Sequence, residues 1–361
     1  MKDIPIVMFH SVNSCSCPHP MKPLMNTLIE FEEYLKTFVR GGYQILSMDD
    51  LVEGRYDEKC PFAVFTFDDG FRDNLTDAMP LMKKYGAHGT IFVNPAYYTE
   101  NTEELTPYGF MTKDEWKTAA DSGVFDVQAH TMTHEFVFSS DKVIDVYTRD
   151  KSKKYYWLSW MLFPEAVHAW DSRAGEFVER IPEGFPIFEY TRRLSAPAFR
   201  PNAESVRAAV SAYQNGERNL EKLGEIARAG GSFENEKEFS EVIRSQLLDC
   251  KRNLEEACGK RVHTLCFPGG GYTDEVLRVA SEAGYLCYMR ASRLKDGNNF
   301  EHLQNMRKGE FVGYNRMSFS KVRKSFLPKR LTARVTSAVK LGAYQQKPFY
   351  VFVRKILRKL G

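Results

Sequence analysis

Apolar residues in the first part of the chain come in short, unbroken runs. IPIVMF (4–9), FAVFTF (62–67), TIFV (90–93) and VFDVQA (124–129) are of this kind, and VHTLCF (262–267) repeats the pattern much later. Runs that are apolar at consecutive positions, rather than at every second one, read as strands buried on both faces. Between them, IEFEEYLKTFVRGG (29–42), NLTDAMPLMKKYGA (74–87) and TKDEWKTAADSG (112–123) place apolar residues at helical spacing, the first closing on Gly41 and Gly42. Strand and helix in turn predict an α/β fold with a parallel sheet covered by helices, closed into a (β/α) barrel or partial barrel. The rhythm breaks after His134. Residues 136–235 hold YYWLSWMLFPEAVHAW and EGFPIFEYTRRLSAPAFRPN, and with them Trp157, Trp160 and Trp170. Alternation resumes in EKEFSEVIRSQLLDCKRNLEEACGK, a long amphipathic helix leading into VHTLCFPGGG. Residues 136–235 therefore read as a helical and irregular insertion within one domain, 1–310. A small core of its own is the first use expected for its aromatics, stacking on a ligand the second.

Composition narrows the class. With 43% hydrophobic and 27% charged residues, 361 residues make a soluble globular protein with room for a large core. Seven cysteines at irregular spacing argue for reduced thiols rather than a disulfide framework. Cys15 and Cys17 form a CxC with no second pair to complete a zinc site, and read as loop residues. The start, MKDIPIVMFHSV, lacks the basic and apolar regions of a secretory signal, and no uncharged apolar run reaches membrane-spanning length; the expected location is cytoplasmic.

The net charge of +3 hides a segregation. Residues 311–361 carry 13 Lys and Arg and no acidic residue, which leaves the first 310 residues at −10. Within this basic tail, RLTARVTSAVKLG and FYVFVRKILRKLG both repeat apolar residues at helical spacing. In the second, Phe349, Phe352, Ile356 and Leu360 line one face, with Arg354, Lys355, Arg358 and Lys359 beside and opposite. The pattern suits a helix lying on an anionic membrane surface. Docking onto the acidic body or a partner subunit is the alternative, and nucleic acid is not expected.

Polar residues at the strand ends carry the chemistry. IPIVMF is followed by His10, FAVFTF by Asp68 and Asp69, VFDVQA by His130 with His134 four residues on, and VHTLCF by Pro268 and the run Gly269, Gly270, Gly271. In a parallel barrel all of these emerge on one C-terminal rim. A carboxylate with two imidazoles suits Zn²⁺ or a comparable divalent ion with positions left open. Neither DD nor HxxxH is specific alone; their joint placement after strands is. Adjacent carboxylates leaving a strand point in different directions, so one can bind the ion while the other takes a proton from water made acidic by it.

TFDDG (66–70), HTMTH (130–134) and FPGGGY (267–272), in this order, resemble the three motifs of polysaccharide deacetylases of the NodB-homology type, carbohydrate esterase family 4. LMKKYGAHGTIFVNP (81–95) and TDEVLRVASEAGY (273–285) resemble the segments that follow the first and third motifs, so the likeness covers roughly 1–135 and 236–312. It implies a distorted seven-stranded barrel in which Asp68 is the general base. Asp69, His130 and His134 would hold a divalent metal, zinc first, with Co, Ni or Mn as alternatives. Pro268, Gly269 and Gly270 would form the oxyanion and substrate-binding turn. IPIVMFHSV resembles the permuted poly-N-acetylglucosamine deacetylases, which makes His10 the general acid, with His302 a weaker substitute.

Two positions depart from the family pattern. Cys266 stands where many members have an arginine that holds the base, and Gly269 where many have an aromatic. Arg200, in FRPN, is a candidate replacement, although a surface role suits it better. The function implied is removal of an N-acetyl group from a sugar of a cell-surface or lipid-linked glycan. O-acetyl ester hydrolysis, another amide hydrolysis, or glycan binding without catalysis stand as alternatives.

Overall fold

The structure is a computed structural model that describes residues 3–13, 25–99, 109–168, 174–290, 298–318, 329–344 and 347–351. Cys15, Cys17, Trp170 and residues 352–361 of the tail lie outside the described residues.

The expected strands form. β1 (Ile6–Phe9), β2 (Gln44–Leu46), β3 (Phe62–Phe67), β4 (Gly89–Val93) and β5 (Phe125–Ala129) come first. The insertion contributes a hairpin, β6 (Phe136–Val146) and β7 (Pro186–Arg192). Then follow β8 (Thr264–Cys266), β9 (Cys287–Arg290), β10 (Val312–Asn315) and β11 (Met317–Ser318). One parallel sheet runs in the order β10-β9-β8-β5-β4-β3-β1-β11, with β2 sharing an edge of β3 with β4. Strands β10 and β11 are separated by Arg316 alone, yet β10 pairs with β9 and β11 with β1. This short segment closes the sheet on itself, giving a distorted, nearly closed barrel of seven staves.

Each strand is apolar throughout because both its faces are covered. In β3, Phe62 and Val64 belong to the lumen cluster with Ile6, Phe92 and Met289. Phe65 and Phe67 face the helices, packing with Phe9 and Phe31. Side chains alternate along a strand, so the lumen phase Phe62, Val64, Thr66 continues into Asp68.

The helices start where the capping residues predict. Thr27 and Glu30 form a capping box for Leu28–Arg40, which ends at Gly41, and Thr112 and Glu115 do the same for Lys113–Asp121. The predicted long helix is continuous from Glu236 to Cys258 but carries a π turn over Ser245–Asp249. The insertion has a core of its own around Phe138, Tyr155, Trp157 and Phe188, as its aromatics suggest.

The boundary expected at 310 is corrected by the pairing: β10 and β11 lie beyond it and belong to the barrel. Charge segregation misplaced it, because charge says nothing of strand pairing. The helix Lys329–Tyr344 also joins the body, packing on Leu28–Arg40. There Ser337 Oγ is 2.7 Å from Thr37 Oγ1, Lys340 Nζ donates to Ser318 O (2.8 Å), and Ala333 is fully buried. Among the described residues no helix is long and apolar enough to cross a membrane.

Ala333→Asp places an unpaired charge in that helix contact, far from the barrel rim. It is expected to cost about 1–3 kcal/mol and to open the segment around 329–344 to protease. A thermal melt with limited proteolysis checks both; an unchanged digestion pattern contradicts the docked helix.

Candidate metal-dependent active site

β3 delivers two adjacent carboxylates to different places. Asp68, in the lumen phase, accepts from Arg316 Nη1 (2.6 Å), and both side chains are almost fully buried. Burial alone would raise the Asp68 carboxyl, but Arg316, foremost among its neighbours, together with His130 and His10 outweighs it and holds the group below the usual carboxylate range. Asp69 turns the chain out of the strand with φ +75°, a left-handed conformation unusual for a non-glycine residue. Its Oδ1 lies 3.3 Å from His130 Nε2 and 3.6 Å from His134 Nε2.

The expected ligands do converge. One ligand atom from each of Asp69, His130 and His134 lies within 4.8 Å of the others. Asp69 Oδ1 and His130 Nε2 are buried without hydrogen-bond partners, which is what a metal locus leaves on its donors. His130 Nδ1 lies 2.8 Å from Cys266 O, an arrangement that puts the proton on Nδ1 and the lone pair on Nε2. These donors fit a divalent cation.

Local structure sets the HTMTH loop. Thr131 adopts φ +63°, so the segment is a tight loop and not a helical turn. Asn94 Nδ2 donates to the carbonyls of His130 and Thr131. From the other side, the π turn leaves the Gln246 carbonyl free to accept from Met132 N (3.0 Å), while its side chain bonds Thr133 N and Oγ1. A π turn displaces the helical hydrogen-bond ladder, and here the freed carbonyl serves the site loop.

His10 is the imidazole brought to Asp68, Nε2 to Oδ2 at 3.8 Å. The residues that follow the paired aspartates brace it: Asn74 Nδ2 donates to His10 O (2.8 Å), and Asp73 accepts from Ser11, Val12, Asn13 and Asn74. His302 sits on the helix Asn299–Arg307 against Tyr314, not with Asp68.

The arginine expected from the third motif comes instead from the closing strand, as Arg316. Cys266 occupies the motif position and stays close, Sγ 3.8 Å from Asp68 Oδ1. Arg200 is not the replacement; it is exposed and paired with Glu234 and Glu238. Sequence reasoning passed over Arg316 because it lies in the basic tail, 248 residues from Asp68. Its one signal was its place between the short runs FVGY and MSF, ahead of the helical patterns of the tail.

Pro268–Gly270 forms a 3-10 turn with Gly269 at φ +58°. Gly270 is corrected as an oxyanion donor, because its N–H is spent on Phe267 O (2.9 Å). Beside the site, the insertion seals onto the barrel: Tyr156, Trp160 and Val167 pack with Phe71, Tyr97 and Phe110.

A parallel barrel with an Asp–His–His locus and a second, cation-held carboxylate defines a class of metal-dependent hydrolase-type sites. The sequence profile of the polysaccharide deacetylases matches residues 55–155 and 218–288. YxkH of Bacillus subtilis, itself provisionally named a polysaccharide deacetylase, is 31% identical over 136 residues, covering 36% of this chain and 43% of that protein. The matched stretch thus spans less than half the length of this relative. The de-N-acetylase of Aggregatibacter actinomycetemcomitans superposes over 89% of this chain and 97% of its own, at 14% identity and a TM-score of 0.53. The BpsB deacetylase domain of Bordetella bronchiseptica does so over 88% and 96%, at 13% identity and 0.53. The chain belongs to the polysaccharide deacetylase family of NodB type. His10 and Arg316, both beside Asp68, lie outside the stretches that the profile matches.

The purified chain is expected to bind one divalent ion. Asp69→Ala and His130→Ala should weaken that binding at least about a hundredfold, consistent with losing one of three ligands, whereas Asp68→Asn should retain it. Titration calorimetry with elemental analysis reads the difference; equal retention by all variants contradicts the locus.

Proposed function

We propose that the chain removes an N-acetyl group from a sugar of a cell-surface or lipid-linked glycan, with zinc as the ion. The observation that carries the reading is the meeting at one rim of three metal donors, a carboxylate held ionised by Arg316, and His10. When bound, the ion would supply an acidified water and a polarised acetyl carbonyl. Asp68 takes the proton of the attacking water. Arg316 keeps that carboxylate charged and aimed until then. The N–H of Gly269, the member of the turn left after Gly270 and Gly271 have found carbonyls, donates to the developing oxyanion. His10 returns a proton to the departing nitrogen.

The alternative substrates of such a site are O-acetyl esters and other amides, so the test is acetate release from N- and O-acetylated glycans after metal loading. Wild type should act on N-acetylated sugars, and Asp68→Asn should lose about a thousandfold in kcat. Inactivity on every substrate, with no divalent ion retained, overturns the reading. Arg316→Gln removes the charge that holds Asp68 ionised. The Asp68 pKa then rises, so the acidic limb of the kcat/KM profile should move to higher pH, with activity down about ten- to a hundredfold at neutral pH. An unmoved limb would detach Arg316 from the base.

We place the protein in the cytoplasm, peripheral on the inner face of the membrane, and the tail supports this only beyond the docked helix. Phe349 is largely exposed, and the basic, apolar-striped sequence continues to Gly361. Truncation after Tyr344 spares the barrel and should abolish co-sedimentation with anionic vesicles; unchanged binding removes the lipid assignment.

A further inference from the structure

The insertion brings to the metal locus a cation that the steps above do not use. Arg192 is the last residue of β7 and is partly buried. Its guanidinium lies over the Phe136 ring, 3.7 Å from the centroid, and Nη1 is 3.0 Å from His134 Nδ1 and 3.3 Å from His134 O. The nearby carboxylates are committed elsewhere: Glu135 to Arg193, Asp68 to Arg316, and Asp69 to the two imidazoles.

The third motif is shaped around this side chain. A Cβ at Gly269 would stand 2.8 Å from Arg192 Nε, and one at Gly271 would stand 3.1 Å from Arg192 Cβ and 2.0 Å from Ser195 Oγ. The guanidinium fills the space that a side chain at position 269 would take.

Its contact with His134 is compatible with only one state of the site. An imidazole that offers Nε2 to a cation carries its proton on Nδ1. That N–H would then face the Arg192 N–H, donor against donor. His130 avoids the conflict through the carbonyl of Cys266; His134 meets a guanidinium instead. With an ion present, Arg192 keeps only the His134 carbonyl and has donors without an acceptor. Charge points the same way. Asp68 and Asp69 balance Arg316 and Arg192, so a divalent ion leaves the locus with an excess of two positive charges.

We propose that Arg192 is a substrate-specificity residue that binds an oxyanion, and that the preferred N-acetylated sugar carries a phosphate or carboxylate close to its acetamide. The substrate class rests on the deacetylase reading. The guanidinium as an anion site does not, because binding can be measured without turnover.

The test is calorimetric titration of metal-loaded protein with N-acetylglucosamine, N-acetylglucosamine 1-phosphate and N-acetylmuramic acid, on wild type, Arg192→Gln and Arg192→Lys. Wild type should bind at least one anionic sugar about tenfold more tightly than the neutral one, the scale of one charge-assisted hydrogen bond. Which anionic sugar gains distinguishes phosphate from carboxylate. Arg192→Gln should lose the preference and Arg192→Lys should keep part of it, both at unchanged metal content. Where acetate is released, Arg192→Gln should raise KM for the anionic sugar about tenfold with kcat little altered. Equal binding of neutral and charged sugars by wild type overturns the proposal. So does a preference that survives in Arg192→Gln, since the ion alone then attracts the anion. Loss of metal in both variants overturns it too, by making Arg192 a support for His134.

Discussion

The buried pair of Arg316 and Asp68 is the contact on which the rest of the site depends. An isolated ionised carboxylate in a barrel lumen would neutralise itself by taking a proton, and as a neutral acid it could no longer accept one. Removing one partner of a buried pair typically costs about 3–5 kcal/mol, so the pair also constrains the fold around it. Arg316 is the single residue between the strands that close the sheet on both edges. The segment that closes the barrel therefore also carries the charge that keeps the base ionised. The side-by-side aspartates become tolerable on the same ground, since each has its own cationic environment: a guanidinium for Asp68 and the metal locus for Asp69.

Much of this was legible because it is local. Runs apolar at every position report burial on both faces, and the alternation of a strand carries Thr66 into Asp68 and fixes which aspartate enters the lumen. The placement of HTMTH after one strand and of the paired aspartates after another marked its two histidines as candidate ligands. What the sequence hid is what depends on pairing over distance. Arg316 sits in a segment whose excess of Lys and Arg made it look like a separate tail, although its strands complete the barrel. Composition averages over residues and has no term for one buried arginine among exposed ones. Likewise the long helix from Glu236 was readable as a helix, but its π turn was not, since a carbonyl within it meets the Met132 N–H of a loop far earlier in the chain.

Backbone strain is concentrated at the site. Asp69 and Thr131 are the non-glycine residues with positive φ among those described, and each such conformation costs on the order of 1–3 kcal/mol. Both are held from outside their own loops. Asn94, at the end of the neighbouring strand, grips the HTMTH carbonyls, and Gln246 grips its N–H groups. Asp73 and Asn74 fasten the His10 segment to the loop that carries the aspartates. The result is a rim whose geometry is set by hydrogen bonds to rigid strands and helices, as a site must be if its donors are to meet a cation without reorganising.

The insertion completes this rim from the opposite direction. Two family positions are altered here, an arginine to Cys266 and an aromatic to Gly269, and each has a compensating arginine from elsewhere in the chain. Cys266 leaves room for Arg316 to reach Asp68 from the closing strand, and Gly269 leaves room for Arg192 to reach His134 from the hairpin. The two replacements are not equivalent. Arg316 is almost fully buried and spent on a carboxylate, whereas Arg192 is partly exposed, stacked on Phe136 and without an acid of its own. A guanidinium placed against a cation locus without a counter-charge gains nothing for stability there. Its placement makes physical sense when the missing negative charge arrives with the substrate.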